Sequence, residues 1–371
     1  VSEFYQNLLE QKIAQARDKK VDISIWREAN PELATKLDFF LSGELPALDF
    51  EGIAHKAGLA TRAASSGVLA YLAKNVENMI VSSADLSNSD KTDGFLKKTH
   101  ALKKGDFSGS FLQAGVAELT MSCIANGIAL HGGIIPVVAT FFVFSDYMKP
   151  AIRLSGIQEL GVKYVWTHDA FRVGEDGPTH QPVEQEAQIR LLEKLKNHSG
   201  NPSFLALRPA DSAETSVAWK MALENKNTPT GLILSRQGIK DLPAAKSSRY
   251  QEALAAEKGG YLVKEVENPD VVLIANGSEV ATLVAAAAIL EAENGLKVNI
   301  ASVISEGVFR LQSAAYQQSV IPKNKPLFGL TAGLPVNLEG LVGDAGKVFG
   351  LDHFGYSAPA TILDDKFGFT G

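Results

Sequence analysis

Short apolar runs alternate with longer amphipathic segments along most of the chain. The runs are rich in β-branched residues and almost continuous, which is typical of strands buried on both faces of a sheet. In chain order they are NMIVSSADL, IIPVVATFFVF, VKYVWTHD, SFLALRP and TGLILSR. The segments between them have helical length, and SAETSVAWKMALE begins at a capping residue, Asp211 or Ser212. This alternation predicts a parallel sheet with helices on both faces.

A second unit of the same kind follows a change in composition at LPAAKSSRYQEALAAEKGG, which we interpret as a linker. Its predicted strands are DVVLIANG, KVNIASVIS and PLFGLTAG, and its predicted helix runs from a cap at Ser278 to a stop at Gly295. We therefore predict an α/β protein of two domains, each a mainly parallel sheet flanked by helices, preceded by a helical connecting arm of irregular helices and loops. The predicted boundaries are 1–55 for the arm, 56–245 for the first domain and 246–371 for the second.

Charge and cysteine content narrow the classes of partner. The net charge of −6 is unfavourable for nucleic acid, which usually binds a basic surface. No uninterrupted apolar run reaches the ~20 residues of a membrane helix, and the single cysteine, Cys123, fits a reducing compartment. We therefore expect no nucleic-acid partner, no membrane span and a cytoplasmic location. Because the chain starts at Val1 and ends in DDKFGFTG, we expect a fragment or a processed chain.

Glu118 is the only charged residue between Phe107 and Ser145, the most apolar region of the chain. On a helix, its face would be shared by small or soft side chains, namely Ala114, Met121, Ser122 and Ala125. A carboxylate removed from water must be paired, bound to donors or protonated. Two interpretations stay open here: contact with a closely approaching ligand, and interaction with the dipole at a helix start.

The loop THDAFRVGEDGPTHQP, residues 167–182, follows a predicted strand and holds five ionisable groups. They are His168, Asp169, Glu175, Asp176 and His180. Because parallel sheets bind ligands beyond the carboxyl ends of their strands, this position favours a binding or catalytic loop over a plain surface loop. Histidine supplies a proton donor or acceptor near neutral pH, whereas the spacing matches no standard metal-ligand pattern.

Aromatic and basic residues add further candidates. Phe141, Phe144 and Tyr147 recur every third residue in TFFVFSDY, so they form either a wall for a flat ring or part of the core. Arg62 in LATRAAS and Arg236 in ILSRQG have the fork geometry that binds phosphate, with surface ion pairs as the alternative.

In order along residues 55 to 371, these segments resemble the transketolase family. The resemblance is carried by SADL, AELTMSCIANGIALHGG, TFFVFSDY, THDAFRVGEDGPTHQPVEQ, RPAD, AWKMALE, GLILSRQ, ANGSEV and FGYSAPA, of which GEDGPTHQP is the most specific. It implies a pyrimidine-binding domain followed by the C-terminal domain of the family. It also implies transfer of a two-carbon ketol unit between a ketose phosphate and an aldose phosphate, with thiamine diphosphate and a divalent metal, magnesium or calcium.

The resemblance also implies a role for each candidate residue. Glu118 would hydrogen-bond a ring nitrogen of the cofactor's aminopyrimidine, and Glu118 and His168 would be catalytic. Phe141, Phe144 and Tyr147 would stack on the cofactor ring, with Asp85 close to the cofactor. Substrate contacts would come from His168 and Asp176, with His180 beside them. The substrate phosphate would bind to Arg62, Ser89, His168 and Arg236.

Three departures from the family pattern are visible. The stretch GVAELTM keeps Glu118 but has Leu-Thr where Phe-Gly is usual, and SADLSNSDKT lacks a proline expected near Ser89. The chain has no GDG motif followed by the asparagine that helps hold the metal and diphosphate. We therefore expect the metal ligands to belong to an N-terminal diphosphate-binding domain outside this chain. The resemblance implies a homodimer with the active sites at the interface, and we expect the isolated chain to be inactive.

Other assignments stay open. A 1-deoxyxylulose-5-phosphate synthase has the same architecture, although THD and the two histidines favour transketolase. The chain could be a natural separate subunit, as in split transketolases or the beta subunit of 2-oxo acid dehydrogenases. It could also be a non-catalytic interaction module with a relic site, although the joint presence of Glu118, His168, Asp176 and Arg236 disfavours this.

Overall fold

The computed structural model describes residues 1–344 and 346–370. By contact density it divides into a small unit, residues 1–44 with 132–134, and a large unit formed by the rest. In the small unit, α1 (Ser2–Ala29) and α2 (Pro31–Ser42) are regular helices, so the prediction of irregular helices here was wrong. No glycine or proline interrupts α1, Pro31 starts α2, and Gly43 ends α2 in the left-handed conformation.

The first part of the large unit, here called the six-stranded domain, is a wholly parallel sheet. Its strands are β1 (Met79–Ser83), β2 (Phe111–Gln113), β3 (Ile135–Phe141), β4 (Lys163–Thr167), β5 (Leu205–Leu207) and β6 (Thr230–Leu234). Its helices are α3 (Thr61–Asn75), α4 (Ser87–Asp90), α5 (Asp93–Leu96), α6 (Glu118–His131), α7 (Ser145–Ile157), α8 (Gln185–Lys194) and α9 (Ser212–Glu224). The strand order is β2-β1-β3-β4-β6-β5, so every carboxyl end meets at one edge of the sheet.

The predicted strands of this domain are present, and the additional three-residue strand β2 was missed. The central strands β4 and β6 are buried along their whole length, which explains their unbroken apolar sequences. The predicted cap of α9 is confirmed as Asp211, whose side chain accepts a hydrogen bond from the backbone N–H of Glu214.

The second part of the large unit, the five-stranded domain, has a mainly parallel sheet. Its strands are β7 (Tyr261–Lys264), β8 (Val271–Ala275), β9 (Val298–Ser302), β10 (Leu327–Leu330) and β11 (Lys347–Phe349). Its helices are α10 (Arg249–Ala253), α11 (Glu279–Asn294), α12 (Glu306–Arg310), α13 (Ala314–Val320), α14 (Val336–Val342) and α15 (Ala360–Phe367). The order is β11-β10-β8-β9-β7, with the edge strand β7 antiparallel to β9.

The predicted fold class is confirmed: two α/β domains with mainly parallel sheets, and helices before them. The segment interpreted as a linker is partly regular, because it contains α10 and a 3₁₀-helix from Leu254 to Lys258. Gly295 ends α11 in the left-handed conformation as predicted, while Ser278 precedes the helix without a side-chain cap and bonds to the Glu279 carboxylate. Across the described ranges, no helix has the length and apolarity to cross a bilayer.

Lys163 begins β4 at the edge of the sheet opposite the carboxyl ends, and its side chain is buried at 2 % exposure. Its Nζ donates to the backbone carbonyl of Asn225 at 2.5 Å. Burial lowers the pKa of Lys163 from 10.5 to about 7. Between pH 10.5 and pH 7 the unfolded chain therefore binds more protons at this residue than the folded chain does. The contribution of Lys163 to the free energy of unfolding consequently falls as the pH drops through this window.

We expect Lys163→Met to raise the free energy of unfolding at pH 7 by about 2–4 kcal/mol, because methionine fits a buried site without a charge to desolvate. Denaturant unfolding at pH 6, 7.5, 9 and 10.5 measures the effect, and the difference from the parent chain should shrink as the pH rises. Lys98→Met, at an exposed lysine, serves as the control. A difference that is constant with pH would contradict the prediction.

Candidate active site

The candidate residues of the six-stranded domain follow its strands at the carboxyl edge of the sheet. Asp85 and Ser89 follow β1, Phe141 ends β3, His168 follows β4, and Arg236 follows β6. This is the edge at which open parallel sheets bind their ligands. The topology therefore collects side chains that lie up to 150 residues apart in the sequence.

His168 lies at the centre of this edge and has a backbone φ of 62°, which is uncommon for a residue with a Cβ. Arg62 Nη1 lies 3.3 Å from His168 Nε2, and Thr167 Oγ1 lies 2.8 Å from His168 Nδ1. Because a guanidinium only donates, Nε2 accepts from Arg62, and Nδ1 carries the hydrogen that is donated to Thr167. Burial and the positive charges of Arg62 and Arg236 lower the pKa of His168 to about 2, so the imidazole is neutral.

Arg62 and Arg236 give this part of the edge a net positive charge. The half-buried Arg62 also donates from Nη1 to the backbone carbonyl of Ser89 at 2.7 Å. Burial and the nearby charge of Arg236 lower the pKa of Arg62, and Asp90 opposes them. Two neighbouring guanidinium groups beside a neutral histidine form a place where an anion is favoured.

Asp90 holds the turn that carries Ser89, and sequence reasoning missed it. Its carboxylate is buried, accepts from Ser83 Oγ at 2.5 Å, and accepts from the backbone N–H and Oγ1 of Thr92 at 2.9 and 2.7 Å. Burial raises the pKa of Asp90, and these hydrogen bonds oppose the shift. The pattern Asp-x-Thr, in which a side chain bonds the backbone two residues later, was the signal that could have identified it.

Three aromatic residues line up where β3 passes into α7. The Phe141 and Phe144 rings are stacked with centroids 5.9 Å apart, and Tyr147 follows Phe144 at 6.0 Å. Phe141 lies against the ring of His168 at 3.6 Å between centroids, and His180 meets Phe144 edge-on at 5.5 Å. Phe141 is buried, whereas Tyr147 is 61 % exposed, so the series of rings leads from the core to the surface.

The loop between β4 and α8 is fixed against the five-stranded domain. Gln181 Nε2 donates to the backbone carbonyls of Gly174 and Tyr356 at 2.9 and 3.0 Å. Gly174 and Gly177 have positive φ angles, which only glycine adopts at low cost. His180 is half-buried beside the aromatic rings, while Asp176 is exposed.

Glu118 is the first residue of α6 and is 8 % exposed. Gly115, with a φ of 67°, makes the turn that leads into this helix. Within residues 1–344 and 346–370, no side-chain or backbone donor forms a hydrogen bond or ion pair with the Glu118 carboxylate. The buried face of α6 is shared with Met121, Ser122 and Ala125, as predicted. The prediction was wrong for Ala114, which precedes the helix, and Leu119 and Ile124 are exposed. The position of Glu118 at the start of α6 is compatible with an interaction with the helix dipole as well as with a ligand contact.

The structure thus brings seven candidates into one set of contacts and leaves three beside it. The connected set is Arg62, Ser89, His168, Phe141, Phe144, Tyr147 and His180. Arg236 acts on this set through its charge, which lowers the pKa of His168. Glu118 and Asp85 lie at the same edge of the sheet, and Asp176 lies on the adjoining loop. In the described chain none of these three forms a hydrogen bond, ion pair or ring contact with the connected set. Asp85 has a φ of 62°, a second strained backbone position at this edge.

Comparison with known proteins identifies both domains. The family described as "Transketolase, pyrimidine binding domain" matches residues 57–240, and "Transketolase-like TK C-terminal domain" matches residues 259–370. The transketolase of Halalkalibacterium halodurans is 38% identical over 375 residues, covering 100% of this chain and 54% of the relative. A transketolase structure from Leishmania mexicana superposes with a TM-score of 0.86 at 34% identity, covering 96% of this chain and 50% of that one.

The chain belongs to the transketolase family. It spans about half the length of the curated relatives it matches. A solved structure described as "Split gene transketolase, inactive beta4 tetramer" is similar with a TM-score of 0.62 at 25% identity, covering 84% of this chain and 94% of that chain. The architecture found here therefore also occurs in a chain of comparable extent.

Proposed function

We propose that this chain supplies the pyrimidine-binding and substrate-phosphate sides of an enzyme that transfers a two-carbon ketol unit between ketose and aldose phosphates. The observation that carries the proposal is the composition of one sheet edge. It holds a buried carboxylate that meets no donor among the described residues, an aromatic series, and a neutral histidine that contacts this series and lies beside two arginines. A flat heterocycle and a sugar phosphate are the ligands that these two groups of residues recognise.

The residues present fit the pyrimidine ring of thiamine diphosphate. Glu118 is buried and has no hydrogen-bond or ion-pair partner among the described residues, so a ring nitrogen would satisfy it. Phe141, Phe144 and Tyr147 offer ring faces. When bound, the cofactor supplies the carbanion chemistry. Glu118 would hold a proton between its carboxylate and the ring nitrogen, and its uncharged surroundings strengthen that hydrogen bond.

Arg62, Arg236 and His168 would bind the phosphate of the sugar. The Ser89 carbonyl and His168 Nε2 accept from Arg62 Nη1, and Nη2 and Nε are then left as donors toward an anion. His168 is neutral and its Nε2 accepts from Arg62 Nη1, so it helps to hold this guanidinium in place for the phosphate. His180 and Asp176 would contact the sugar from the adjoining loop.

A diphosphate-binding domain would complete the site. In residues 1–344 and 346–370 no cluster of three or more metal-ligating side chains is present. The proposal therefore gives the magnesium or calcium ligands to that other domain. We also propose a homodimer, because Leu119 and Leu130 of α6, together with Val116 just before the helix, are exposed apolar side chains at 45 %, 59 % and 81 % exposure. Sedimentation of the purified chain measures its self-association.

We expect the 371-residue chain alone to show no ketol transfer from a ketose phosphate, because half of the cofactor site is absent. Addition of the diphosphate-binding domain of a transketolase relative, fused to the chain or in trans, should restore turnover with thiamine diphosphate and Mg²⁺. The coupled assay with a ketose phosphate as donor measures this, and pyruvate as donor tests the 1-deoxyxylulose-5-phosphate synthase alternative. Full turnover by the isolated chain, or turnover with pyruvate only, would contradict the proposal.

A second candidate is a natural separate subunit of a split transketolase. The similarity to a solved split-gene chain, 94% of which is covered by this chain, favours it. The two candidates make the same chemical prediction and differ in assembly. Complementation in trans at nanomolar subunit concentrations supports the subunit, whereas a requirement for covalent fusion supports a single longer chain.

A further inference from the structure

We propose that Arg208, clamped by Asn276 and Glu279 of the five-stranded domain, is a positioning residue for His168. The five-stranded domain thereby fixes the histidine of the phosphate site through a buried ionic link. This inference rests on the proposed function, since it assigns His168 a contact with the substrate.

The near end of the link is Asp169, the residue after His168. Its Oδ2 accepts from Arg208 Nη2 at 2.7 Å and from Arg208 Nε at 3.2 Å, and the Asp169 side chain is buried. Because His168 has a φ of 62°, the backbone there is less favourable than an extended or helical one and persists only when its surroundings hold it. A two-donor clamp on the adjacent side chain is such a restraint.

The far end of the link lies mostly in the five-stranded domain, and Glu186 Oε2 of α8 lies 3.7 Å from the same Arg208 Nη1. Arg208 Nη1 donates to Asn276 Oδ1 at 2.7 Å and to Glu279 Oε2 at 2.5 Å. The backbone of Arg208 is fastened too: its N–H donates to the Ile304 carbonyl and its carbonyl accepts from the Gly277 N–H, both at 3.0 Å. A Cβ at Gly277 would lie 2.7 Å from the guanidinium carbon, so this glycine leaves the space that Arg208 fills.

The Arg208 side chain extends from the six-stranded domain to a specific place on the five-stranded domain. Asn276 follows β8 and Glu279 begins α11, which is where an open parallel sheet usually takes a ligand. A side chain of the six-stranded domain occupies this place. Arg208 is 1 % and Glu279 0 % exposed, and a buried ion pair adds little to stability compared with an apolar contact. We therefore attribute this charged link between the domains to positioning of the His168 backbone and not to a gain in stability.

The test measures sugar-phosphate binding and the state of His168 in the 371-residue chain. The variants are Asn276→Ala and Glu279→Gln. Asn276→Ala removes one acceptor of Arg208 and the hydrogen bond that Asn276 Nδ2 donates to Glu186 at 3.0 Å, but no charge. Tyr261→Phe is the matched control: the Tyr261 hydroxyl donates to Glu214 across the same two domains at 2.7 Å, in a cluster that does not include Asp169 or Arg208. Calorimetry with ribose 5-phosphate and with inorganic phosphate gives Kd, and ¹⁵N-histidine NMR reports the His168 ring.

We expect both variants to weaken ribose 5-phosphate binding by about tenfold and to shift the His168 resonances, while Tyr261→Phe lowers the unfolding midpoint and leaves both readouts unchanged. Equal effects of all three variants, or unshifted His168 resonances in Asn276→Ala, would overturn the clamp. If Glu279→Gln does not fold, Asn276→Ala decides alone. If the parent chain binds no phosphate, the proposed phosphate site fails, and the His168 resonances still decide the clamp.

Discussion

Replacing Glu118 with alanine in the complete enzyme should lower kcat by about 10²- to 10⁴-fold, the range typical of a lost proton-transfer group. The reason is the position of its carboxylate, which is buried at the start of α6 and meets no donor of the described chain. If this group holds a proton at the cofactor ring, its removal leaves the reacting carbon without its base. A steady-state ketol-transfer assay at saturating cofactor measures the loss.

Stability separates this role from the helix-dipole alternative. A carboxylate in the first turn of a helix contributes ~0.3–1 kcal/mol, so Glu118→Ala should change the free energy of unfolding by no more than this. Glu118→Gln keeps the shape and removes the charge, and it should lose activity nearly as fully as the alanine variant. Glu224→Gln, at an exposed glutamate ending α9, is the control and should retain activity.

Near-normal kcat in Glu118→Ala, combined with a loss of stability, would assign the carboxylate to the helix alone. The same outcome would also support the alternative that the chain is a non-catalytic interaction module, in which this edge of the sheet is only a relic of an active site. A large loss of kcat with an unchanged unfolding midpoint excludes the helix-dipole role and the relic site, because neither alternative gives the Glu118 carboxylate a part in turnover.

Structural features that leave a local pattern in the sequence, such as a strand buried on both faces, were predictable from the sequence. The strands β4 and β6 are buried on both faces, so their sequences are apolar without alternation, and the loop after β4 could be placed at the carboxyl edge by topology alone. A helical arm was predicted at the start of the chain, but the length and regularity of α1 were not. No buried face gives its sequence a clear period, because the described structure buries none of its side chains.

Contacts between distant residues were not predictable in the same way. Arg62 and His168 are 106 residues apart, and nothing in LATRAAS or THDAFRV specifies that Nη1 meets Nε2 or that the carbonyl of Ser89, not its hydroxyl, orients the arginine. The link from Asp169 through Arg208 to Glu279 joins three segments that each look ordinary. Such pairs depend on the packing of two sheets, which no local pattern encodes.

Replacing Arg62 with methionine should weaken the binding of phosphorylated sugars by between about 10- and 150-fold, the loss expected for charge-assisted hydrogen bonds of ~1.5–3 kcal/mol. Arg62 is half-buried, is oriented by the Ser89 carbonyl and forms no ion pair with a carboxylate in the part of the chain that the structure describes, so its charge is available to an anion. Because the phosphate group of the substrate carries more charge above its pKa near 6, the effect should be larger at pH 8 than at pH 5. Calorimetry with ribose 5-phosphate on the 371-residue chain measures it.

Substrates without phosphate distinguish a lost phosphate contact from a distorted site. In the complete enzyme, Arg62→Met should raise KM for a ketose phosphate by a similar factor while KM for an unphosphorylated ketose stays within about twofold, because only the phosphorylated donor uses the guanidinium. Arg62→Lys should recover part of the affinity, since lysine keeps the charge and loses the fork geometry. Arg153→Met, at an exposed arginine of α7, is the control. Equal losses for both classes of substrate would show that Arg62 supports the structure around His168 and does not bind the phosphate.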